Sequence, residues 1–420
     1  MSKPFVILAP MLALAGISGS PNALTANSPK LEEIVVTANF RDTTLMETVG
    51  SVSVISQSTI TDRAAQHLED VLNAVPNVTW ASGASRSRFV QIRGIGDLEQ
   101  YYDPKYYPSV GMRLDNLELG DSVNAGMLFD VNQVEVLRGP QGTRYGASGH
   151  AGMINIISNA PTDTFEGELS GGAGNYDSYN AGLVLSGPLG DTVQGRLAVQ
   201  QNNSDGYIEN ENLDKDDTNN FDELTTRGRL QWSPTDSALY ELGLLYFDAD
   251  NGHDPWSIEN NRTTWSDQPG KDEQQVLAVT TSGTWRLADT LSVEASVSYI
   301  DMDMHQRYDG DWVSDEFCEI YTCSGGHETA QEIFDRDRER LVADIRLLGG
   351  EDNLSAGAGN YVIGLYANDG SENLDYRYPS LWYGDSSSNS DYDTDRYAIY
   401  GEYEYAVSDQ LTLTGGVRLE

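Results

Sequence analysis

The sequence predicts a small mixed α/β domain followed by the antiparallel strands of an incomplete transmembrane β-barrel. From Phe165 onward, about eleven segments of roughly ten residues alternate in polarity, as barrel strands do. The links between these segments are alternately short and long, which is typical of outer-membrane barrels with turns at one rim and loops at the other. A soluble β-sandwich also alternates in polarity, so the connection lengths decide between the two folds.

The first 26 residues have the pattern of an export signal. Lys3 precedes the apolar run FVILAPMLALAG, and a small polar stretch follows it. This run is too short to cross a bilayer as a helix, and no later stretch approaches the ~18 uninterrupted apolar residues that a membrane helix needs. We therefore expect an exported protein that crosses no membrane with helices.

The mixed α/β domain is expected over residues 45–160. The stretch LEDVLNAVPNV predicts a helix, because Leu68, Val71, Leu72 and Val75 fall on one helical face and Pro76 ends the pattern. Short strands alternate with this one helix. The chain changes character near Pro161, where strand begins to follow strand.

Each barrel segment has one apolar and one polar face, and three segments show this well. Their apolar faces comprise Leu291, Val293, Ala295, Val297 and Tyr299; Leu224, Thr226, Gly228, Leu230 and Trp232; and Leu411, Leu413, Val417 and Leu419. The short links are SGPLGD (186–191), SPTD (233–236), LADT (287–290), GGEDN (349–353) and AVSDQ (406–410), and the long ones span about 202–223, 248–274, 301–337 and 370–393.

The net charge and the cysteines narrow the function classes. A net charge of -39 with a pI near 4.2 argues against a nucleic-acid partner, which needs a basic face. Cys318 and Cys323 are the two cysteines, and an oxidising compartment favours a local disulfide between them. Two free thiols are the alternative.

Patterns that would indicate catalysis or a cofactor fail on inspection. A phosphate-binding loop needs Lys and then Ser or Thr after its second glycine, whereas Thr143 and Arg144 follow Gly142. Asp301, Asp303 and His305 alternate along a strand, but they share the lipid-facing parity of Tyr299, so we predict no metal site. Without a nucleophile–base pair, the sequence predicts neither an enzyme nor a cofactor.

The stretch VEVLRGPQGTRYGASGHAGMINIIS (134–158) resembles the end of the plug domain of TonB-dependent outer-membrane receptors. In that family LRGPQGT-YG precedes GG-INI, and here Ala151 replaces the first glycine of the later pair. Three more motifs follow the family's order: EEIVVTA (32–38) resembles the TonB box, VQIRGIG (90–96) the IRG strand, and GMRLDNLELG (111–120) the strand written VDGVY. The resemblance extends from about residue 32 to the end of the sequence.

This resemblance implies a domain order and an incomplete barrel. Residues 1–26 become the signal peptide, 27–44 a periplasmic tether with the TonB box, 45–160 the plug and 161–420 the N-terminal part of the barrel. Because the last segment stops at Glu420 in mid-strand and a barrel must pair every edge, we expect a portion of a longer protein, whose barrel has about twenty-two strands.

The resemblance also implies roles for residues. Ile34, Val35, Val36 and Thr37 would bind TonB, and a short β-prone segment suits the addition of a strand to a partner's sheet. Arg93 and Arg138 would form a latch that barrel glutamates hold. The ligand would bind at the outer end of the plug, where arginines attract anions and tyrosines give rigid contacts, unless these side chains only pack against the barrel wall: Arg86, Arg88, Tyr101, Tyr102, Tyr106 and Tyr107.

The expected function is TonB-dependent import of a scarce nutrient complex across the bacterial outer membrane. Its partners would be TonB, outer-membrane lipid and a small-molecule iron chelate, most commonly a ferric siderophore in the family. Haem, cobalamin and oligosaccharides stay open as ligands. A passive porin or an adhesin is the alternative from another class, although residues 32–160 argue against it.

Overall fold

The fold combines a five-stranded sheet with an eleven-stranded sheet. The structure is a computed structural model that describes residues 35–37, 40–41, 43–81, 85, 89–96, 108–119, 128–321, 323, 329–350, 354–380 and 384–420. The smaller sheet lies in the N-terminal part of the chain and the larger one follows it, so the predicted fold class is confirmed.

The N-terminal domain is built on short strands, in agreement with the motifs. Its five-stranded sheet has the order β3-β8-β9-β6-β7, while β1 pairs with β2 and β4 with β5. Within it, β6 and β9 are parallel and the other pairs are antiparallel. The strands are β1 Val35–Val36, β2 Thr43–Thr44, β3 Ser51–Ser56, β4 Val78–Ala81, β5 Phe89–Ile92, β6 Val110–Leu114, β7 Leu117–Glu118, β8 Val131–Arg138 and β9 Gly152–Ser158.

The helices are short: α1 Gln57–Asp62, α2 Leu68–Leu72, α3 Gly142–Tyr145 with the 3-10 turn Gly146–Gly149, and α4 Asp315–Tyr321. The predicted helix is α2, and the apolar side chains of its predicted face are buried. The expectation of a single helix before Pro161 was wrong, because α1 begins where the Ser56 hydroxyl accepts a hydrogen bond from the Thr59 amide. None of the helices in the described residues is long and apolar enough to span a membrane.

The large sheet is an antiparallel meander in which eleven strands pair in chain order, as the count of about eleven segments predicted. Its two edge strands, the first and the last, are not paired with each other. The strands of this part of the chain are β10 Glu166–Ala173, β11 Tyr179–Pro188, β12 Val193–Ser204, β13 Glu209–Asn210, β14 Phe221–Thr235, β15 Ala238–His253, β16 Thr263–Thr264, β17 Gly270–Ala288, β18 Leu291–Asp309, β19 Gln331–Gly349, β20 Gly359–Tyr378, β21 Ser386–Ser408 and β22 Leu411–Leu419. The short strands β13 and β16 pair with each other outside the meander.

Many strands are longer than the predicted ten residues. β20 has 20 residues and β21 has 23, so the loop expected over 370–393 shrinks to residues 379–385. A strand crosses the hydrocarbon core in about 9–11 residues, and the polarity pattern that sequence reasoning follows ends there. Backbone pairing of β20 with β21 continues over residues 370–378 and 386–394, which are mostly polar.

The outward and inward faces of the sheet follow the predicted parity. Leu277, Val297 and Leu341 point outward with 45%, 43% and 47% of their surface exposed, whereas Val276 and Met302 are buried. The apolar faces predicted for the three segments above lie on the outer side of β14, β18 and β22.

The N-terminal domain packs against the inner face of the large sheet. One continuous hydrophobic cluster contains side chains of α2 and the five-stranded sheet together with inner side chains of β15, β17 and β18, among them Phe247, Val276 and Met302. The two parts of the chain therefore share a core.

Candidate functional site

The segment Val35–Thr37 lies on the N-terminal domain. Val35 pairs with Thr44 and Val36 with Thr43. The Val36 side chain is fully buried in a small cluster with Leu137, Tyr145 and Met153, and the Gln133 amide donates to the Val35 carbonyl at 2.9 Å. This segment is thus a docked two-residue strand, and Ile34 of the same predicted motif is outside the described residues.

A buried carboxylate, Glu135 on β8, anchors the end of this segment. Its Oε1 accepts hydrogen bonds from the Thr37 amide at 2.7 Å, the Thr37 hydroxyl at 3.2 Å and the Gln133 amide at 2.8 Å. Its Oε2 accepts from Asn155 Nδ2 at 3.1 Å. A carboxylate with no exposed surface is costly without such donors, so Glu135 and Thr37 depend on each other.

Sequence reasoning missed Glu135, although a signal was present. It is a lone acidic residue in the otherwise apolar stretch VEVL of β8. An acidic side chain in such a strand requires partners from elsewhere in the fold.

Arg144, at the end of the GPQGTRYG loop, contacts the same segment from the other side. Its Nη1 donates to the Thr37 carbonyl at 3.1 Å, and its guanidinium carbon lies 5.4 Å from the Phe40 ring centroid and 5.2 Å from that of Tyr145. Burial lowers the pKa of Arg144, and the positive charges of Arg346 and Arg113 act in the same direction.

A chamber of about 440 Å³ separates the N-terminal domain from the wall of the large sheet beside Thr37 and Arg144. Glu241 and Glu294 line it and lie three residues after the starts of β15 and β18, while Arg346 lies three residues before the end of β19. At about 3.3 Å per residue, these positions place the chamber some 10 Å from the short turns.

Charge pairs join the two parts of the chain from the short-turn end to the middle of the wall. Arg196 of β12 binds Asp130 through two hydrogen bonds of 2.7 and 2.5 Å. Arg396 of β21 approaches Glu118 at 3.8 Å, and a third pair joins Arg229 of β14 to Asp115 at 4.0 Å. In these pairs the N-terminal domain supplies the carboxylate and the wall supplies the arginine, which is the reverse of the predicted latch.

The two predicted latch arginines lie together. The Arg138 guanidinium donates to the Pro76 carbonyl at 3.0 Å, and the backbone amide of Arg93 donates to the carbonyl of the next residue, Asn77, at 2.8 Å. Within the part of the chain that the structure describes, neither guanidinium pairs with a carboxylate. Their capture by barrel glutamates stays a prediction.

At the long-loop end, the contact between the two domains uses a histidine. His67, at the start of α2, lies 2.7 Å from Glu223 of β14, and both side chains are buried. Glu223 also accepts hydrogen bonds from Asn202 at 3.2 Å and Asn251 at 2.9 Å.

The remaining predicted residues divide into two groups. A disulfide joins Cys318 of α4 to Cys323 in the long loop after β18. The outer strand face carries Asp303 and His305, and the latter contacts Asp335 on β19; among the described residues, no three His, Cys, Asp or Glu side chains group as metal ligands. The predicted ligand-binding residues lie outside the described residues: Arg86, Arg88, Tyr101, Tyr102, Tyr106 and Tyr107.

Two family models match the chain. The TonB-dependent receptor plug domain matches residues 44–153, and the TonB-dependent receptor-like β-barrel matches residues 213–420.

Individual relatives agree with these matches. The pesticin receptor of Yersinia pestis is 24% identical over 413 residues, which cover 97% of this chain and 58% of that receptor. The ferric-pyoverdine M114 receptor PbuA of a Pseudomonas strain is 32% identical over 163 residues, covering 37% of this chain and 19% of that receptor. The chain spans just over half the length of the first curated relatives that it matches.

Solved structures share the fold. The ferric yersiniabactin uptake receptor FyuA from Yersinia pestis superposes with a TM-score of 0.74 at 20% identity, covering 88% of this chain and 56% of that one. The pyoverdine receptor FpvA from Pseudomonas aeruginosa, bound to pyoverdine, gives 0.73 at 19% identity, with 92% and 58% covered. With a matching plug, barrel strands and fold, the chain belongs to the family of TonB-dependent receptors of the bacterial outer membrane.

Proposed function

We propose that this protein imports a ferric siderophore across the outer membrane, driven by TonB, and performs no covalent chemistry. The observation that carries the proposal is the docked segment Val35–Thr37. It is a minimal strand, and its hydrogen bonds to Glu135, Gln133 and Arg144 hold it beside the chamber. A partner that adds its own strand to this segment gains backbone hydrogen bonds and can pull it away from the plug.

A force that TonB applies to residues 34–37 would act on the plug next to the chamber. Thr37 lines the chamber and is bound to Glu135 of β8, a central strand of the plug sheet. Pulling on residues 34–37 would break these contacts first and then load β8. The plug would thus change shape from its short-turn side.

The proposed ligand class rests on relatives. The solved structures named above are an uptake receptor for ferric yersiniabactin and a pyoverdine receptor bound to pyoverdine. Vitamin B12 transporters from Photobacterium profundum and Vibrio vulnificus also match this chain, over shorter stretches. We therefore rank ferric siderophores first, with haem, cobalamin and oligosaccharides as the alternatives. Arg86, Arg88 and the tyrosines Tyr101, Tyr102, Tyr106 and Tyr107 remain the proposed ligand contacts.

Deletion of residues 34–37 tests the proposed mechanism. We expect the deletion to abolish uptake of radiolabelled iron chelates by cells whose other receptors are removed, while surface binding of the chelate persists. A matched deletion of residues 27–30 shortens the tether equally and should leave uptake intact. Unchanged uptake without residues 34–37 would refute the importer and favour passive diffusion through a porin.

The ligand class needs a separate growth experiment. Cells with and without the gene would be grown on single sources of iron or cobalamin: ferric siderophores of the carboxylate, catecholate and hydroxamate classes, haem, and vitamin B12. Growth that depends on the gene only with a siderophore supports the first choice. Dependence only with haem or cobalamin would replace it.

A further inference from the structure

The chamber beside the docked segment is lined by four arginines and four carboxylates, and one of these arginines, Arg144, forms no ion pair with a described residue. Arg229 pairs with Glu241 at 3.0 Å, and two nitrogens of Arg346 donate to Glu294 at 2.8 and 2.6 Å. The other acidic lining residue of the wall, Asp344, accepts a hydrogen bond from Tyr400 at 2.7 Å.

On the plug side of the chamber, the other polar groups are also engaged. Arg113 pairs with Glu118 at 3.4 Å, and Asp115 accepts hydrogen bonds from the amide and hydroxyl of Ser158. The carboxylates that line the chamber therefore all have donors.

Arg144 is the exception. Among the described residues it has no carboxylate partner, and Glu294 and Glu402 act on it only at a range longer than an ion pair. Within the part of the chain that the structure describes, one of its five donors is used, by the Thr37 carbonyl, and the rings of Phe40 and Tyr145 lie against the guanidinium. A guanidinium in this setting gains free energy from an anion that can accept two hydrogen bonds.

We propose that the chamber is an anion-binding site on the periplasmic side of the plug, and that Arg144 binds a carboxylate-bearing small molecule there. The volume of about 440 Å³ lies within the range of small-molecule sites, which is about 300–1,000 Å³. The rings of Tyr145, Tyr366 and Tyr400 supply flat apolar contacts beside the charge. This site is distinct from the proposed ligand contacts at the outer end of the plug.

Binding at this site has a consequence for the docked segment. The anion and the Thr37 carbonyl share one guanidinium, and a bound carboxylate neutralises the charge that strengthens the hydrogen bond from Arg144 to Thr37. An occupied chamber therefore weakens one of the contacts that hold Val35–Thr37. The physiological source of the anion rests on the proposed importer function, since a transported chelate would supply it, whereas binding itself does not depend on transport.

Calorimetric titration with citrate tests the site on the protein purified from outer membranes in detergent. Sodium chloride at matched ionic strength is the reference. Saturable citrate binding is expected, with at least a tenfold loss of affinity in Arg144→Gln and no change in Arg63→Gln, an exposed arginine at the end of α1. Glu294→Gln should raise the affinity, because it removes one negative charge from the lining and leaves Arg346 with Asp344 alone, at 3.8 Å, while Arg144 stays in place.

A second measurement follows the docked segment. In Thr37→Cys protein, citrate should raise the rate of maleimide labelling several-fold, and the added Arg144→Gln change should remove that increase. The proposal is overturned if the wild type shows no saturable binding, if Arg144→Gln and Arg63→Gln bind alike, or if Glu294→Gln leaves the affinity unchanged. The comparison of citrate affinity between Glu294→Gln and the wild type tests the proposal even if Arg144→Gln fails to fold.

Uptake separates this proposal from the importer. Citrate binding that depends on Arg144 in a protein whose uptake survives deletion of residues 34–37 would refute the importer and leave the site standing. The reverse result, TonB-box-dependent uptake without citrate binding, would remove the site alone.

Discussion

The plug is joined to the barrel wall differently at its two ends. Near the short turns the contacts are guanidinium–carboxylate pairs, of which Arg196–Asp130 has the best geometry. Near the long loops, within the described residues, His67 contacts Glu223, the Ser85 amide and hydroxyl donate to Asp272, and the Gln200 amide donates to Gln66.

We therefore expect the plug to be held more strongly by the ion pairs near the short turns than by the contacts near the long loops. Bidentate charged pairs are about twice as strong as neutral hydrogen bonds and fix the orientation of both partners. The docked segment Val35–Thr37 lies at the charged end but is held mainly by hydrogen bonds that three residues make. A pull on the segment would thus release the segment before it unseats the plug.

The largest effect should follow from Asp130→Asn, which removes the ion pair with Arg196. The side chains of Arg196 and Asp130 are only 12% and 7% exposed, so the variant leaves a buried guanidinium without its charge partner. Removing one partner of a buried pair costs about 3 kcal/mol. Native-state hydrogen exchange on β8 and β9 should show plug opening that is easier by about this amount.

Asn is chosen for this test because Asp130 has a φ of +55°, a conformation that Asn tolerates well. Asp289→Asn, at an exposed turn of the same barrel end, is the control and should change little. Equal exchange in the two variants would mean that the Arg196–Asp130 pair does not seat the plug.

The next effect concerns the docked segment. Glu135→Gln keeps one acceptor oxygen but turns an amide nitrogen toward donors, so one buried donor is left unsatisfied at a cost of about 2 kcal/mol. The exchange rate at residues 35–37 and the maleimide labelling of Thr37→Cys should both rise, while β12 stays protected. Asp62→Asn, exposed on α1, is the control, and unchanged labelling would show that Glu135 does not hold the segment.

The features that could be predicted from the sequence are those that a repeating environment imposes on each strand or helix. Lipid outside and a packed plug inside give every barrel strand the same alternation, so the strand count and the outward faces of β18 and β22 follow from local pattern. The helix α2 was predicted for the same reason, because its apolar spacing matches one buried face.

Contacts between distant residues could not be predicted in this way. Asp130 and Arg196 are 66 positions apart, and their meeting depends on the strand register and on how the plug sits in the barrel. The family resemblance directed attention to Arg93 and Arg138 as the latch, whereas the described charge pairs place the arginine on the wall. Glu135 and Arg144 both bind Thr37, and these contacts depend on the position at which the segment Val35–Thr37 docks on the N-terminal domain.

A smaller effect is expected at the tight turn of the GPQGTRYG loop. Gly146 has a φ of +60°, and a Cβ there would lie 2.4 Å from Glu420 Oε2 and 2.8 Å from Arg418 Nε on the edge of the wall. Gly142 has an ordinary φ, and a Cβ there would meet nothing within 4 Å. Gly146→Ala should destabilise the plug by about 1–2 kcal/mol in hydrogen exchange, and Gly142→Ala should not. Equal effects would show that the positive φ of Gly146 does not require glycine at this turn.

The smallest effect lies at the long-loop end and is visible as a pH dependence. Burial raises the pKa of Asp254, and the charge of Asp309 adds to this, while hydrogen bonds from Asn210 and Thr264 oppose it. Because the folded loop prefers the protonated acid, its stabilisation is fully present below the unfolded pKa of about 3.9 and is lost as the pH rises through the higher folded value.

Asp254→Asn should remove this dependence, since the amide oxygen still accepts from Asn210 but carries no charge. At neutral pH the variant should protect residues 254–269 more than the wild type, by about 1 kcal/mol or less, and the two should converge in acid. Hydrogen exchange corrected for the intrinsic pH effect measures the difference. If the variant keeps the wild-type dependence of protection on pH, groups other than Asp254 set the stability of the long-loop end. His67, which contacts the wall there, would be the next side chain to substitute.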